Sequence, residues 1–300
     1  MKLFLNVLLY VSFVSVIIYL YINDLFLLPE LQNSRIFVIS LIFVFSGFFV
    51  DVKAWQEIVK VKIKSVSYQQ SFISSGKFIF SKYIPGKLWV IAGRAAYLKE
   101  KYNDKLVDLV SISFYYQIIN IVAGTFVGFS ILYLIDLQWF WIIAATLILF
   151  LIILSYYYKL AIKTTSRLFS LILKKEIILP FIPQKTNLKI IFISVLNWMI
   201  WSIAFYLLII SIHDISIVPI KAGLLFPIST VFGIIVIIAP GGLGIREGFL
   251  TLGLTALDIP VKDAASIATL SRVWFIIGEF LVFFVALALH LRDKYTLTRN

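Results

Sequence analysis

Two segments of this chain combine residues that break helices with residues that bind anions. Arg94 follows one Pro-Gly pair, and Arg246 and Glu247 follow a second; the residues of the two breaks are Pro85, Gly86, Pro240, Gly241, Gly242 and Gly244. Proline lacks a backbone donor and glycine adopts conformations that other residues avoid, so a helix should end at each break. A guanidinium binds phosphate through paired hydrogen bonds, and a helix that restarts near Leu88 or Arg246 presents its positive end to anions. The two segments therefore predict anion binding.

The last apolar stretch carries two charges of opposite sign. Arg272 and Glu279 are seven residues apart, so in a helix they lie on one face, about 10 Å apart along the axis. Placing a charge in the middle of a membrane helix costs at least about 2.5–3.5 kcal/mol of insertion free energy. We therefore expect both residues to have a functional role. A purely structural ion pair with Arg246 or Glu247 is the alternative. The candidate substrate-binding residues are Arg94, Arg246, Glu247, Arg272 and Glu279.

The composition indicates that these residues are carried by a membrane protein. Of 300 residues, 61% are hydrophobic and 14% are charged, whereas soluble domains average about 45–50% and 25%. Apolar runs near or above the roughly 20 residues that cross a bilayer predict spanning helices at about 3–22, 36–55, 106–134, 138–158, 188–212 and 264–291. The segments at about 68–98 and 219–258 are apolar but broken. We predict an all-α, polytopic, single domain over 1–300, with about six spanning helices and two broken or re-entrant hairpins.

The distribution of basic residues orients the predicted helices. Segment 51–105 carries eleven Lys and Arg against four acids, and segment 158–189 carries seven against one. The positive-inside rule places both segments, and both termini, in the cytoplasm. The two hairpins then enter the membrane from opposite faces. Three lysines of the first hairpin either attract headgroups or, as we favour, solvate its cytoplasmic end: Lys77, Lys82 and Lys87.

The two motifs resemble a known membrane family. Tyr83-Ile84-Pro85-Gly86 through Gly93-Arg94, together with Pro240 to Glu247, is similar to the flippase-like membrane domain of lysylphosphatidylglycerol synthases in its free-standing form. The resemblance covers nearly the whole chain. It implies a bacterial or archaeal cell (inner) membrane protein that moves a lipid or lipid-linked headgroup between leaflets. It does not imply synthase activity, which belongs to a soluble C-terminal domain, and this sequence ends nine residues after Leu291.

Three classes of function fit these features. The favoured one is a flippase or secondary transporter for an anionic lipid or lipid-linked headgroup, which is no enzyme: the three arginines bind phosphate, and Glu247 or Glu279 balances or relays charge. The second is a non-catalytic membrane partner in envelope lipid or polysaccharide assembly. The third is an intramembrane lipid-modifying enzyme with Glu247 and Glu279 as acid and base.

Cofactors and nucleic acid are not expected. The chain has no cysteine, and its two histidines, His213 and His290, lie near span ends, so neither thiolate nor histidine metal clusters are predicted. Gly76-Lys77 is followed by Phe78, not by the Ser or Thr of a nucleotide-binding phosphate loop. The net charge of +12 could attract nucleic acid, but the basic residues lie between apolar spans. They are therefore expected to oppose membrane lipids with anionic headgroups.

Overall fold

The computed structural model describes residues 31–84, 89–131, 182–212, 219–236, 242 and 244–299, with side chains described up to Tyr295. These residues form α-helices and two short 3-10 helices, Ile79–Tyr83 and Ile220–Leu224, and no strand. The all-α membrane fold is thus confirmed. We number the α-helices α1 (Ser34–Val59), α2 (Tyr68–Gly76), α3 (Trp89–Tyr102), α4 (Leu106–Phe129), α5 (Gln184–Ile210), α6 (Leu225–Ile235), α7 (Ile245–Thr255) and α8 (Val261–Arg299).

Four of these helices are long and apolar enough to cross a membrane: α1, α4, α5 and the Val261–Tyr295 part of α8. They correspond to the spans predicted at 36–55, 106–134, 188–212 and 264–291. The last helix is longer than predicted. Its polar C-terminal end remains helical because it packs against the first hairpin. The spans predicted at 3–22 and 138–158, and the last three residues of 106–134, lie outside the described residues.

Helices α1 and α5 pack antiparallel over their whole length. At one end, the backbone N–H of Asn33 donates to the carbonyl of Ser211 at 3.0 Å. At the other end, Lys189 pairs with Glu57 at 2.8 Å. Between them, the indole of Trp201 lies against the backbone of α1 and donates to one of its carbonyls at 3.1 Å. Helices α2, α4, α6 and α8 pack against this pair, whereas α3 and α7 pack on other helices.

The first hairpin consists of α2, the Ile79–Tyr83 turn and α3. Helix α2 runs along the last part of α8: Gln69 donates to Asp293 at 2.7 Å, and a Cβ on Gly76 would come within 2.5 Å of the methyl group of Ala286. Nine residues of α-helix extend about 14 Å, which is too short for a hydrocarbon core of roughly 30 Å. The break predicted at Pro85-Gly86 falls between the end of α2 and the start of α3, although both residues lie outside the described part.

The second hairpin consists of α6 and α7, each of 11 residues and so about 16 Å long. Gly242 and Gly244 have φ angles of +76° and +74°, a region that other residues rarely adopt. Gly242 also lies so close to Gly233 that an added Cβ would meet its Cα at 2.7 Å. The glycines thus let the chain turn tightly and restart as α7 beside the end of α6. Pro240 and Gly241 lie outside the described residues.

The described helices repeat in order: long helix, two short helices, long helix occurs as α1 to α4 and again as α5 to α8. The antiparallel α1 and α5 begin the two sets, as expected for an inverted repeat. The sequence offers only a weak sign of this repeat, Pro-Gly followed by an arginine. The repeated order of helices makes the relation between the halves much clearer.

The first prediction concerns the side of the membrane at which each hairpin begins and ends. The chain has no cysteine, so Lys60→Cys, Asp104→Cys, Ser216→Cys and Pro260→Cys each introduce a single reactive thiol. An impermeant maleimide is added to intact cells, and labelling of each thiol is measured. We expect positions 60 and 104 to give the same result as each other, and likewise positions 216 and 260. One pair should be labelled and the other should not. Lysed cells, in which all four variants react, are the control. Opposite labelling within a pair would show that its segment crosses the membrane.

Candidate functional site

The inner ends of the two hairpins meet the middle of α8. The first hairpin contacts α8 at Asp293 through Gln69 and at Glu279 through Lys82. These two contacts are 14 residues, or about 21 Å, apart along the α8 axis. The second hairpin places Glu247 against Arg272, 11 residues or about 16 Å after the start of α8 at Val261. Both hairpins therefore end deep in the protein, about two helical turns apart along α8. We call the charged residues gathered here the central charge cluster: Lys82, Arg246, Glu247, Arg272 and Glu279.

Glu279 is held by the first hairpin. Its carboxylate is fully buried, forms an ion pair with Lys82 and accepts a hydrogen bond from the hydroxyl of Tyr83 at 3.0 Å. The Lys82 side chain is 34% exposed, so the pair reaches from the packed interior to an accessible surface. The expectation that Lys82 solvates the cytoplasmic end of the hairpin is wrong, because the 3-10 turn directs this side chain towards α8.

Arg272 holds the second break in place. Its Nε donates to Glu247, and its Nη2 donates to the backbone carbonyl of Gly242 at 2.9 Å. Only one carboxylate oxygen of Glu247 is used in this way. The other, Oε2, is buried and has no hydrogen-bond partner of good geometry within the described structure. The Glu247 carboxylate also lies near its own backbone N–H, so it interacts with the positive end of α7, as a capping residue does.

Arg246 is the second residue of α7 and is only 4% exposed. Its guanidinium lies over the rings of Phe226 and Phe275, with its central carbon 4.4 Å and 5.4 Å from the ring centres. Among the described residues, nothing accepts a hydrogen bond from Nε or Nη2. A buried donor without an acceptor costs about 1–3 kcal/mol, and more when it is charged. Anion binding by Arg246 stays a prediction, and a bound anion would supply the missing acceptors.

Arg94 lies in a different cluster, so the structure does not bring it together with Arg246. It is 5% exposed, and its Nε and Nη2 both donate to Ser113, to the hydroxyl and, at 3.2 Å, to the carbonyl. The rings of Trp55 and Tyr116 lie 4.6 Å and 5.2 Å from its guanidinium carbon. Substrate binding by Arg94 stays a prediction, and it would require those bonds to Ser113 to be exchanged.

Asp51 lies beside the cluster of Arg94 and is missing from the sequence-based candidates. Its Oδ1 accepts a hydrogen bond from the Tyr116 hydroxyl at 2.6 Å. The ring of the same Tyr116 lies against the guanidinium of Arg94. The sequence contains a signal for it: Asp51 lies within the apolar span predicted at 36–55. The reasoning about intramembrane charge that selected Arg272 and Glu279 applies to it equally.

The family model described as the lysylphosphatidylglycerol synthase TM region matches residues 5–290. The chain belongs to this family. No curated protein and no solved structure matches the chain. The recognised resemblance and the description as a multi-pass membrane protein are thus confirmed.

Membership of the lysylphosphatidylglycerol synthase TM family places both breaks and the central charge cluster within one matched region. Among the described residues, no three of His, Cys, Asp or Glu come together in a way that could hold a metal ion. What the arrangement offers chemically is positive charge, hydrogen-bond donors and one carboxylate oxygen.

The second prediction concerns the stability of the Lys82–Glu279 pair. Among the described residues, Lys82→Met leaves the fully buried Glu279 with the Tyr83 hydroxyl as its one remaining hydrogen-bond donor. We therefore expect a loss near the lower end of the about 3–5 kcal/mol that a broken buried pair costs. Lys82→Met combined with Glu279→Gln removes both charges and should regain most of the loss. The measurement is the thermal unfolding midpoint in detergent.

The matched control is Lys101→Met, which removes a lysine from a more exposed pair with Asp293. Exposed pairs contribute about 0–1 kcal/mol, so its midpoint should change little. Equal midpoints for Lys82→Met and Lys101→Met would show that the Lys82–Glu279 pair does not hold the hairpin against α8.

Proposed function

We propose that this protein is a flippase or secondary transporter that moves an anionic lipid or lipid-linked headgroup between leaflets without changing it chemically. The observation that carries the proposal is Arg246, a buried guanidinium with two nitrogen atoms that lack acceptors among the described residues. The family, whose name concerns a lipid synthase, supports a lipid as the guest. The protein would act in a bacterial or archaeal cell membrane with both termini in the cytoplasm.

The surroundings of Arg246 suit a phosphate. Arg246 stands at the start of α7, where backbone N–H groups and the helix dipole add partial positive charge. Phe226 and Phe275 hold the guanidinium plane but offer no hydrogen-bond acceptor. The two oxygen atoms of a phosphate match the fork geometry of a guanidinium. A guest that carries a phosphate would therefore remove the cost of the unsatisfied donors.

The arrangement of the hairpins supports movement of the bound headgroup. Paired broken helices from inverted halves are typical of transporters that expose a central site alternately to the two sides. Here the first hairpin is attached to α8 by Lys82–Glu279 and the second by Glu247–Arg272. Each ion pair fixes one hairpin separately. Release of one pair would allow its hairpin to rock while the other hairpin keeps its contact with α8.

The same ion pairs favour transport over catalysis. Glu247 and Glu279 would have to act as acid and base in an enzyme, but each already accepts a hydrogen bond from a cationic partner. A carboxylate that is paired with a base is a poor proton donor, because the pairing stabilises its ionised form. This observation supports a protein that binds and moves its guest unchanged.

The third prediction tests transport with Arg246→Ala in liposomes that contain an acyl-labelled fluorescent anionic lipid, read by dithionite bleaching of the outer leaflet. Hydrogen bonds to a charged group contribute about 1.5–3 kcal/mol, so we expect transfer to slow at least about tenfold. Arg246→Lys keeps the charge but loses the fork geometry and should be intermediate. Mass spectrometry of the recovered lipid should show an unchanged mass.

Lys64→Ala is the matched control, since it removes one positive charge from an exposed position and should transfer lipid at the normal rate. Each variant is first checked for a normal thermal midpoint. Normal transfer by folded Arg246→Ala would remove Arg246 from the mechanism and with it the observation on which the proposal rests. A recovered lipid of changed mass would favour an enzyme.

A further inference from the structure

Asp51 is a carboxylate at membrane depth that the proposed function does not use. It lies eight residues before the end of α1 at Val59, which is about 12 Å inside that end. The Tyr116 hydroxyl of α4 donates to its Oδ1 at 2.6 Å and to its backbone carbonyl at 2.8 Å. The residue is half-buried. An acid in such a position is costly, so it needs an explanation beyond packing.

Asp51 differs from the other described acids of the interior because it has no ion pair with a described residue. Glu279 is paired with Lys82, and Glu247 is paired with Arg272. No lysine or arginine of the described structure pairs with Asp51. Ion pairing keeps a carboxylate ionised, whereas burial without an ion pair favours the neutral acid. Among the described interior acids, Asp51 is therefore the one best suited to take up a proton.

Arg94 makes the ionised form of Asp51 accessible as well. Both residues contact Tyr116, whose hydroxyl donates to Asp51 and whose ring centre lies 5.2 Å from the guanidinium carbon of Arg94. The hydrogen bonds that Arg94 donates within the described structure go to neutral groups of Ser113. A positive charge nearby favours the ionised form of an acid, and burial favours the neutral form. Because the two effects oppose each other, Asp51 can both bind and release a proton.

Further polar groups lie at the level of Asp51 on α5. The contacts at the two ends of the antiparallel α1 and α5 set their register, which places Ser194 opposite Asp51 and Asn197 three residues further on. The Ser194 hydroxyl and both amide atoms of Asn197 are buried without a hydrogen-bond partner among the described residues. Buried polar groups of this kind bind internal water. Water between polar groups carries protons, so these groups support a route to Asp51.

Most other ionisable groups near this part of α1 already have a partner. On the described elements packed around it they are Tyr68 and Lys82 of the first hairpin, Arg94 of α3, Tyr116 of α4, Lys189 of α5, and Glu279 and His290 of α8. Lys189 is paired with Glu57, and Lys82 is paired with Glu279. The Tyr68 hydroxyl donates to a backbone carbonyl of α1 at 2.9 Å. His290 packs edge-on against the ring of another tyrosine and is the rival that a test has to exclude.

We propose that Asp51 is a proton-binding site that couples movement of the lipid to a proton gradient. This inference rests on the proposed function, because it adds the driving ion to the same transport cycle. In each cycle the carboxylate takes one proton from water on one side of the membrane and returns it to water on the other side. The proton offsets negative charge on the guest. Protonation also weakens the acceptor of Tyr116, which contacts Arg94, so the proton biases the first hairpin while the guest biases the second.

The test uses liposomes that contain the full chain and acyl-labelled phosphatidylglycerol, with pH 7 on one side and pH 8 on the other. Equal potassium and valinomycin hold the membrane potential at zero, and dithionite bleaching at steady state gives the share of lipid in each leaflet. One proton moved with each lipid allows up to about a tenfold ratio between leaflets for one pH unit. We expect accumulation that reverses with the pH gradient and disappears with a protonophore. Liposomes without protein measure spontaneous redistribution, which is subtracted.

Four variants assign the effect to one residue. Asp51→Asn keeps an oxygen for the Tyr116 hydroxyl but takes up no proton, so we expect equal leaflets. Asp51→Glu keeps the carboxyl group and should accumulate lipid. Asp104→Asn, which removes a carboxylate paired with Lys62 in a loop, is the matched control and should keep the full ratio. His290→Gln should keep it too.

A second measurement needs no variant and stands even where Asp51→Asn does not fold. Dicyclohexylcarbodiimide takes the proton of a carboxyl group onto nitrogen while the carboxylate oxygen attacks its central carbon, so protonated acids in apolar surroundings react first. Peptide mass spectrometry should find Asp51 modified, and more so at pH 6 than at pH 8. Glu247 and Glu279 should react far less, because their ion pairs keep them ionised. Preferential modification of either glutamate would overturn the assignment to Asp51.

The outcomes separate this inference from the proposed function. Transfer that leaves the leaflets equal under a pH gradient would overturn proton coupling and leave lipid transport supported. Accumulation driven by a sodium gradient at equal pH would overturn the proton as the driving ion. Accumulation that persists in folded Asp51→Asn, or that is lost in folded His290→Gln instead, would overturn Asp51 as the site. No transfer above that of liposomes without protein would overturn the proposed function as well.

Discussion

Within a bilayer, a polar group has to find its partner inside the protein, and this constraint determines which contacts the rest of the structure must provide. Unsatisfied groups cost several kcal/mol in hydrocarbon, so interrupted helices are tolerated only where they are buried in protein or line a watery cavity. Both hairpins follow this rule. The backbone carbonyl of Gly242, freed by the second break, accepts from Arg272, and the turn after α2 places Lys82 on Glu279. A charged residue of α8 thus satisfies a backbone group of the second hairpin, and a lysine of the first hairpin neutralises a charged residue of α8.

Each hairpin carries an arginine between two aromatic rings, but only one of the two is satisfied. Arg94 lies over Trp55 and Tyr116, and Ser113 accepts from it. Arg246 lies over Phe226 and Phe275, and two of its nitrogens lack acceptors within the described residues. Both halves therefore place a buried arginine over two aromatic rings, but the described residues accept its hydrogen bonds more fully in the first half than in the second. The contrast supports the proposal that Arg246 binds a guest, since Ser113 in the first half shows that the chain can satisfy a buried arginine by itself.

The sequence was sufficient for four long helices among the described residues, because hydrophobic length acts locally. It also predicted breaks at Gly242 and Gly244, both of which have positive φ. It selected Arg272 and Glu279 correctly as one-face residues of the last span, since seven residues correspond to about two helical turns. The sequence alone could not predict which residues form ion pairs with Arg272 and Glu279. Lys82 and Glu279 are far apart in sequence, and only the packing of the first hairpin along α8 joins them. For the same reason Arg94 and Arg246 were expected at one site, whereas the repeat places them in different halves. Asp51 was predictable but overlooked.

The central charge cluster has two ion pairs that attach the hairpins to α8, and one arginine, Arg246, with two nitrogens that lack acceptors among the described residues. In each half, the short helices depend on contacts with a long helix, and in the second half α8 serves both hairpins. A shift of α8 would therefore be felt by both ion pairs at once. A negative guest at Arg246 would compete with Glu279 for nearby positive charge, including that of Lys82. Occupation of the second break would then weaken the attachment of the first hairpin, which is the kind of dependence that alternating exposure of one site requires.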